Sequence, residues 1–298
     1  LSKIARGTWN GVAANASIVS SLLLFEAKTN GNVLRTSKLA SISTNKYIDK
    51  FPGGFTQTNK GGLFEMLVDY DGKSMYPSLM RTFNIGPNTL RYTMPPKDAH
   101  SIMTNNFYDE NKEVKVYKAE LYFQDGCELG YEMMSLGDIA KMVKERNYII
   151  TPSGAIFCSM EEEKSILYDI LNTLCNERDR VKSQMYDSDG NKDIAKYNKQ
   201  LALKVSANAF FGVFGFATFF YYNTTMATAI TTTGRMMIKC IMHSIENRYQ
   251  KNGRALLDSA RSVDVFQVRD LNFKYTIYAD TDGCVIQFGD ILKELGIT

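Results

Sequence analysis

Apolar and polar positions alternate along this chain with two periods, and the switches between them mark its elements. Over residues 2–28, Ile4, Val12, Ala16, Val19 and Leu23 recur at helical spacing around the bulky Trp9, so a helix is expected. A polar stretch over 29–50 leads to Phe51-Pro52-Gly53-Gly54-Phe55, a strong turn signal. The apolar run Leu63 to Tyr70 has the length of a buried strand and ends on Asp71. Residues 93–112, with Pro95-Pro96, Asn105-Asn106 and many charges, read as an exposed excursion, and strand alternation returns at Val114-Lys115-Val116-Tyr117-Lys118.

Helix signals then dominate. Ser135 followed by Asp138 reads as a helix start, and Pro152-Ser153-Gly154 as a hairpin turn. Ser159 with Glu162 forms a capping-box pattern that predicts a helix to about Tyr186. Asp187-Ser188-Asp189-Gly190-Asn191 predicts a tight turn, and a second helix to about Phe214 completes an αα-hairpin. A third helix is expected from Thr224 to Gln250, stopping at Asn252-Gly253. Two strands close the pattern, Phe273 to Ala279 and Cys284 to Phe288, joined by a turn at Asp280-Thr281-Asp282. The fold class is mixed α+β, an antiparallel sheet with acidic strand tips interrupted by a protruding helical hairpin.

Composition narrows the function classes. A hydrophobic share of 44% and a charged share of 22% belong to an ordinary globular protein and exclude a disordered or collagenous chain. Lys and Arg number 35 against 32 Asp and Glu, so net charge alone argues for neither nucleic acid nor membrane. The five cysteines contain no CxxC pair and only two histidines accompany them, which disfavours a structural zinc site and fits a reducing, cytoplasmic setting (a host cytoplasm if the source is viral). No apolar run reaches the roughly 18 residues of a membrane span. The 298 residues begin with Leu1 in helix-like sequence and stop after Gly296-Ile297-Thr298, so the chain is expected to be a piece of a longer polypeptide.

Four groupings could carry chemistry. Asp71 ends an apolar strand in VDYDGKSMYPS, and Asp280 and Asp282 flank Thr281 in YADTDG. Hard oxygen ligands on strand ends suit Mg²⁺, and two ions about 3.5–4 Å apart are the arrangement used for in-line phosphoryl displacement. A DxD turn can also simply cap a hairpin through Asx bonding. On the helical hairpin, Arg178 and Lys182 are four apart, as are Lys204 and Asn208. Folding about Asp189 sets Arg178 opposite about Gln200, roughly 6 Å from Lys204, so four donors could meet one anion such as a triphosphate. A solvated charged face is the plainer reading of Arg178 and Lys182, whereas an ammonium within LALKVSANAFFGVFG needs a partner. Ser74 to Ser78 opens a helix whose backbone N–H groups could meet phosphate, with Tyr76 as a pocket wall or packed surface. Gly53-Gly54 could admit a close sugar–phosphate strand or be an ordinary loop pair.

Taken together, these strings resemble family B DNA polymerases, most closely those of T-even-type bacteriophages. YDGKSMYPSLM is similar to the family's motif A, KVSANAFFG to motif B and YADTDG to motif C. Their order, the intervening hairpin, YYNTTMATAITTTG after motif B, and FPGGF in place of the YxGG element all agree, over about residues 50–290. The resemblance implies a palm over 1–160 and 216–298 and fingers over 161–215, with exonuclease and thumb domains absent. It implies that Asp71 and Asp282, with the Gly72 carbonyl, hold two Mg²⁺ ions (Mn²⁺ able to substitute) and that Asp280 supports them. Ser74 and Met75 amides would contact the triphosphate, Tyr76 would gate the sugar, and Arg178, Lys182, Lys204 and Asn208 would clamp the triphosphate. Phe211, Gly212 and Thr281 would line the base pair's minor groove, and Gly53 and Gly54 would touch the template.

The implied activity is template-directed DNA synthesis, nucleotidyl transfer from a dNTP to a primer 3′-hydroxyl, as the catalytic core of a phage-type replicative enzyme. Implied partners are primer–template DNA, dNTP, the missing exonuclease and thumb segments of the same protein or a second chain, and a sliding clamp reached through the absent C-terminus; no membrane is involved. The sequence departs from the family at Ala209 and Phe211, where motif B has Ser and Tyr, at Ala279 and Gly283 around motif C, and at Gly72-Lys73 after the motif A Asp. The alternatives are a catalytically silent palm-type DNA-binding module, against which the joint presence of Asp71, Asp282, Arg178, Lys182, Lys204 and Asn208 argues, and an RNA-synthesising palm polymerase, which Tyr76 discriminates.

Overall fold

The computed structural model of the protein describes residues 15–29, 31, 52–59, 61–106, 109–118, 130–216, 219, 222–250 and 275–289. In chain order the first elements are helix α1 (Asn15–Thr29), strands β1 (Thr56–Thr58) and β2 (Leu67–Asp71), helix α2 (Met75–Thr82) and strand β3 (Leu90–Thr93). Next come α3 (Pro96–Met103), β4 (Glu113–Lys118), β5 (Tyr131–Ser135), α4 (Leu136–Glu145), β6 (Ile149–Ile150) and β7 (Ala155–Phe157). The long helices α5 (Ile166–Ser183), α6 (Ile194–Phe214) and α7 (Thr224–Gln250) precede β8 (Thr276–Asp280) and β9 (Gly283–Gln287). The chain is mixed α and β with two antiparallel sheets, and it divides into two compact units, Leu1–Phe51 with Tyr76–Ile230 and Pro52–Met75 with Thr231–Thr298.

In the larger unit, α5 and α6 form the expected hairpin. Its turn is local chemistry: the Asp187 carboxylate accepts the N–H groups of Asp189 at 3.0 Å and Asn191 at 2.8 Å, and Asp193 caps α6 by accepting the Lys196 N–H. The register predicted by folding about Asp189 holds, since Lys199 reaches across the hairpin to Glu177 at 2.6 Å. Leu171 and Leu174 of α5 and Leu203, Phe210 and Phe214 of α6 share one core with Val19 and Leu23 of α1. A five-stranded sheet, in the order β5-β4-β3-β7-β6, covers a second core in which Val114 and Val116 meet Leu136 and Ile139 of α4.

The smaller unit is a four-stranded sheet in the order β1-β8-β9-β2, backed by Ile238 and Met242 of α7 against Phe55, Ala279, Cys284 and Ile286. The buried carboxylate of Glu246 accepts the N–H groups of Tyr275 and Thr276 at 2.8 and 2.6 Å, which satisfies it and ties the start of β8 to the helix.

Several expectations are corrected. The run ending at Asp71 forms β2, but as an edge strand rather than a buried one: Leu67, Val68 and Tyr70 are 50, 38 and 49% exposed. Apolar content predicted the strand, while its burial depended on neighbours that sequence does not specify. Residues 93–112 are not simply an excursion, because Pro96 opens α3, which buries Ala99, and Asp98 is paired with Lys112 at 2.7 Å. Ser159 does accept the Glu162 N–H at 3.2 Å, yet it caps only a turn; α5 begins at Ile166, capped by Ser165. The start at Ser135, the turn before β7 and the span of α7 agree with expectation. Residues 2–14, 32–51 and Asn252-Gly253 lie outside the described residues. Cys158, Cys175, Cys240 and Cys284 are free thiols, and burial pushes those of Cys158 and Cys284 up to about 11. Among the described residues no helix is long and apolar enough to cross a membrane.

Candidate active site

The smaller unit gathers three aspartates at one end of its sheet. β2 ends on Asp71, which pairs with Gly283, the first residue of β9; β8 ends on Asp280, which pairs with the same Gly283 and with Thr56 of β1. Thr281 and Asp282 make the intervening turn. The Gly72 N–H donates to the Asp282 carbonyl at 2.8 Å, and the Asp282 N–H to the Asp280 carbonyl at 2.6 Å, so the end of β2 is stitched to the turn. A side chain on Gly72 would bring its Cβ to 2.9 Å from that Asp282 carbonyl, which explains a glycine after the acidic residue.

The three carboxylates are not equivalent. Asp280 Oδ1 accepts the hydroxyls of Thr281 at 2.9 Å and Thr56 at 3.1 Å, which suits a supporting role. Asp71 is exposed and Asp282 half-buried. Among the described residues no three His, Cys, Asp or Glu side chains converge as a metal cage. Two carboxylates and a backbone carbonyl instead fit a hard cation such as Mg²⁺, which takes one or two carboxylates and fills its shell with water and substrate phosphate.

The Gly53-Gly54 turn meets the same hairpin. The Phe55 carbonyl accepts the Thr281 N–H at 2.6 Å, and Arg235 Nη1 of α7 donates to the carbonyls of Gly54 at 3.2 Å and Gly53 at 3.5 Å. Sequence reading missed Arg235. Its signal was available, because it is the first charged residue of α7, directly after the TTTG string.

Beyond Asp71, Ser74, with φ of 51°, precedes α2, whose first residue is Met75, so the expected helix start is present. Motif B lies in the larger unit. There Tyr76 packs on Phe211 of α6, ring centroids 4.3 Å apart, which joins an aromatic predicted to gate the sugar to one predicted to line the base pair. Lys204, Asn208 and Gly212 line one cavity of about 640 Å³, whose other walls include Leu201, Val205 and Phe216. Arg178 and Lys182 are not among the residues that line it. Lys204 and Asn208 are exposed, so the Lys204 ammonium meets no burial penalty despite its apolar neighbours in sequence.

A family model described as "DNA polymerase family B" matches residues 12–294. The chain is 28% identical over 220 residues to a DNA-directed DNA polymerase of Enterobacteria phage T4, covering 67% of this chain and 24% of that protein. It is 24% identical over 238 residues to a DNA polymerase of Thermococcus gorgonarius, covering 79% and 21% of the two chains. Against a DNA polymerase delta catalytic subunit of Caenorhabditis elegans it is 30% identical over 148 residues, covering 49% and 13%. The chain therefore spans about a quarter or less of the length of these relatives. A model match over nearly the whole length makes the chain a member of DNA polymerase family B.

Proposed function

We propose that the chain is the catalytic core of a phage-type replicative DNA polymerase, its palm formed by residues 1–160 and 216–298 and its fingers by 161–215. The observation that carries this reading is the stitched pair of strand ends, Asp71 opposite Gly283 and Gly72 bonded to Asp282. Asp71, Asp282 and the Gly72 carbonyl would hold two Mg²⁺ ions, or Mn²⁺ in their place. Such ions supply Lewis-acid stabilisation of charge on the reacting phosphate and lower the pKa of a bound hydroxyl. Asp280, held by two threonine hydroxyls, fixes the turn that carries Asp282.

The reaction is attack of the primer 3′-oxygen on the α-phosphorus of a dNTP, with the hydroxyl proton lost and pyrophosphate departing. The chain's own contribution is positioning and charge neutralisation. Ser74 and Met75 amides at the start of α2 bind phosphate oxygens, and Lys204 and Asn208, with Arg178 and Lys182 on the neighbouring helix, take the triphosphate charge. Tyr76, braced by Phe211, lies against the sugar and selects deoxyribose. Phe211, Gly212 and Thr281 face the nascent pair, and Gly53 and Gly54 the template strand. With Ala209 and Phe211 in place of hydroxyl-bearing residues, minor-groove contacts depend on shape rather than on those hydroxyls.

The test is Asp71→Asn and Asp282→Asn, assayed in the full-length polymerase that carries this segment. Each variant should abolish primer extension and leave primer–template binding nearly intact. Either variant retaining more than about a tenth of the turnover, a loss of only about 1.4 kcal/mol, refutes the assignment. Paramagnetic broadening by Mn²⁺ in the 298-residue chain provides a readout without turnover: it should centre on residues 71, 72 and 282.

A further inference from the structure

We infer that Arg235 is a positioning residue that fastens the Gly53-Gly54 turn to the acidic hairpin, so that the glycine turn and the Asp280–Asp282 turn hold one geometry. Five contacts within the smaller unit link Arg235 to the acidic hairpin. Arg235 Nη1 donates to two successive carbonyls, Gly53 and Gly54, at 3.5 and 3.2 Å. Its guanidinium also lies 5.6 Å from the centroid of Phe55, whose ring is buried beside Ile238 and Met242, so the head holds the carbonyls while the ring fixes where it can stand. The next carbonyl, that of Phe55, receives the Thr281 N–H at 2.6 Å. Thr281 in turn hydrogen-bonds Asp280 through its hydroxyl.

Thr281 makes this bracing necessary. It sits at φ of 51°, in the left-handed region that a β-branched residue adopts only when its surroundings over-determine it. Holding Thr281 there turns Asp282 back towards Gly72, and the fixed point is the Phe55 carbonyl. A guanidinium suits the task, because it is always charged and presents several donors in a rigid fork. A lysine ammonium one turn away, Lys239, is 5.2 Å from the same ring, so the face of Phe55 is flanked by two cations from α7.

The inference rests on the proposed polymerase reading only for what the aspartates do; the bracing stands on the contacts themselves. The experiment uses amide hydrogen exchange, followed by NMR, on the 298-residue chain without DNA. Arg235→Met keeps the aliphatic stem and removes the donors, and Arg235→Lys restores one donor group. In Arg235→Met the Thr281 and Asp282 amides should exchange about tenfold faster, equivalent to about 1.4 kcal/mol, while those of Tyr278 and Ile286 change less than about twofold. Arg235→Lys should fall between Arg235→Met and the native chain. An unchanged Thr281 rate in Arg235→Met, or equal acceleration at Tyr278 and Ile286 in both variants, overturns the inference. A second arm measures primer–template affinity against salt. The slope should be the same with and without the Arg235 charge; a fall of about one in the slope would mean a direct phosphate contact and would also overturn it. If Asp71→Asn left primer extension intact in the full-length polymerase, the polymerase reading would fail while the exchange result kept its meaning.

Discussion

The two glycines of the FPGGF turn should respond oppositely to alanine, although they are adjacent and identical in sequence. At Gly53 an added Cβ would meet nothing within 4 Å, and at Gly54 it would lie 2.5 Å from Thr281 Oγ1 and 3.1 Å from both Cβ and Cγ2 of that residue. Rotating Thr281 to withdraw its hydroxyl leaves the contact with its Cβ and breaks the 2.9 Å bond to Asp280. Overpacking of this kind costs about 1–3 kcal/mol, and the lost hydrogen bond to a carboxylate adds about 1.5 kcal/mol or more. Alanine restricts the unfolded chain and returns about 0.4–1 kcal/mol at either position. Gly54→Ala should therefore destabilise by about 2–4 kcal/mol, and Gly53→Ala should be neutral or stabilising by a few tenths. Urea denaturation monitored by circular dichroism measures both, as a shift in midpoint at constant slope. Equal midpoints for the two variants, or a less stable Gly53→Ala, would refute the account of how this turn packs. Thr281→Ser with Gly54→Ala should recover part of the loss, because it removes the methyl that blocks relaxation.

Tyr76→Ala should raise the use of ribonucleotides over deoxynucleotides by about one to two orders of magnitude in single-nucleotide incorporation by the full-length enzyme, because on the proposed reading the ring braced by Phe211 would leave a 2′-hydroxyl without room or a partner; an unchanged CTP to dCTP ratio would reduce Tyr76 to packing. On the hairpin, hydrogen bonds from Arg180 and Lys199 hold the Glu177 carboxyl down to about 2, from an ordinary value of 4.5. A depressed folded-state pKa stabilises above the unfolded value and is lost as pH falls, so the difference in melting temperature between the native chain and Glu177→Gln should be constant above about pH 5 and shrink between about 4.5 and 2. Because the pair is exposed, the difference should also shrink in high salt.

What the sequence made legible was chemistry confined to a few neighbouring residues. Ser135 and Asp187 each satisfy backbone N–H groups within four positions of themselves, and each does so where the pattern predicts. The motif strings likewise identified the family, because three of them in order are specific where charge and composition were silent. Ser159 differs from its expected role for a complementary reason. Its bond to the Glu162 N–H is real, but whether a cap continues into a helix depends on the residues after it, and here Ser165 makes the competing start. The exposure of β2 and the carbonyls that Arg235 holds were out of reach, since both depend on which strand or turn lies alongside, more than a hundred residues away in sequence, although Arg235 itself stood out as the first charge of α7. Arg178 and Lys182 illustrate the limit of helical spacing. It put them correctly on one helix, in which Glu177 meets Lys199 of the next, but it could not say which cavity they would line.

The edge position of β2 bears on what a second copy of this strand would meet there. The Phe288 N–H bonds the Met66 carbonyl and the Gly72 N–H bonds the Asp282 carbonyl, so Met66, Val68, Tyr70 and Gly72 direct their backbone groups towards β9. Alternation leaves Leu67, Asp69 and Asp71 directing theirs towards the side on which no strand of the described residues pairs, among apolar side chains that would otherwise invite a second strand to add. Two of these three residues are aspartates, and negative charge repeated along an edge repels an identical edge. Asp71 thus has a colloidal duty alongside the chemical one proposed for it. Asp71→Asn, which would remove a proposed metal ligand, also removes one of the two aspartate charges on that side of the strand.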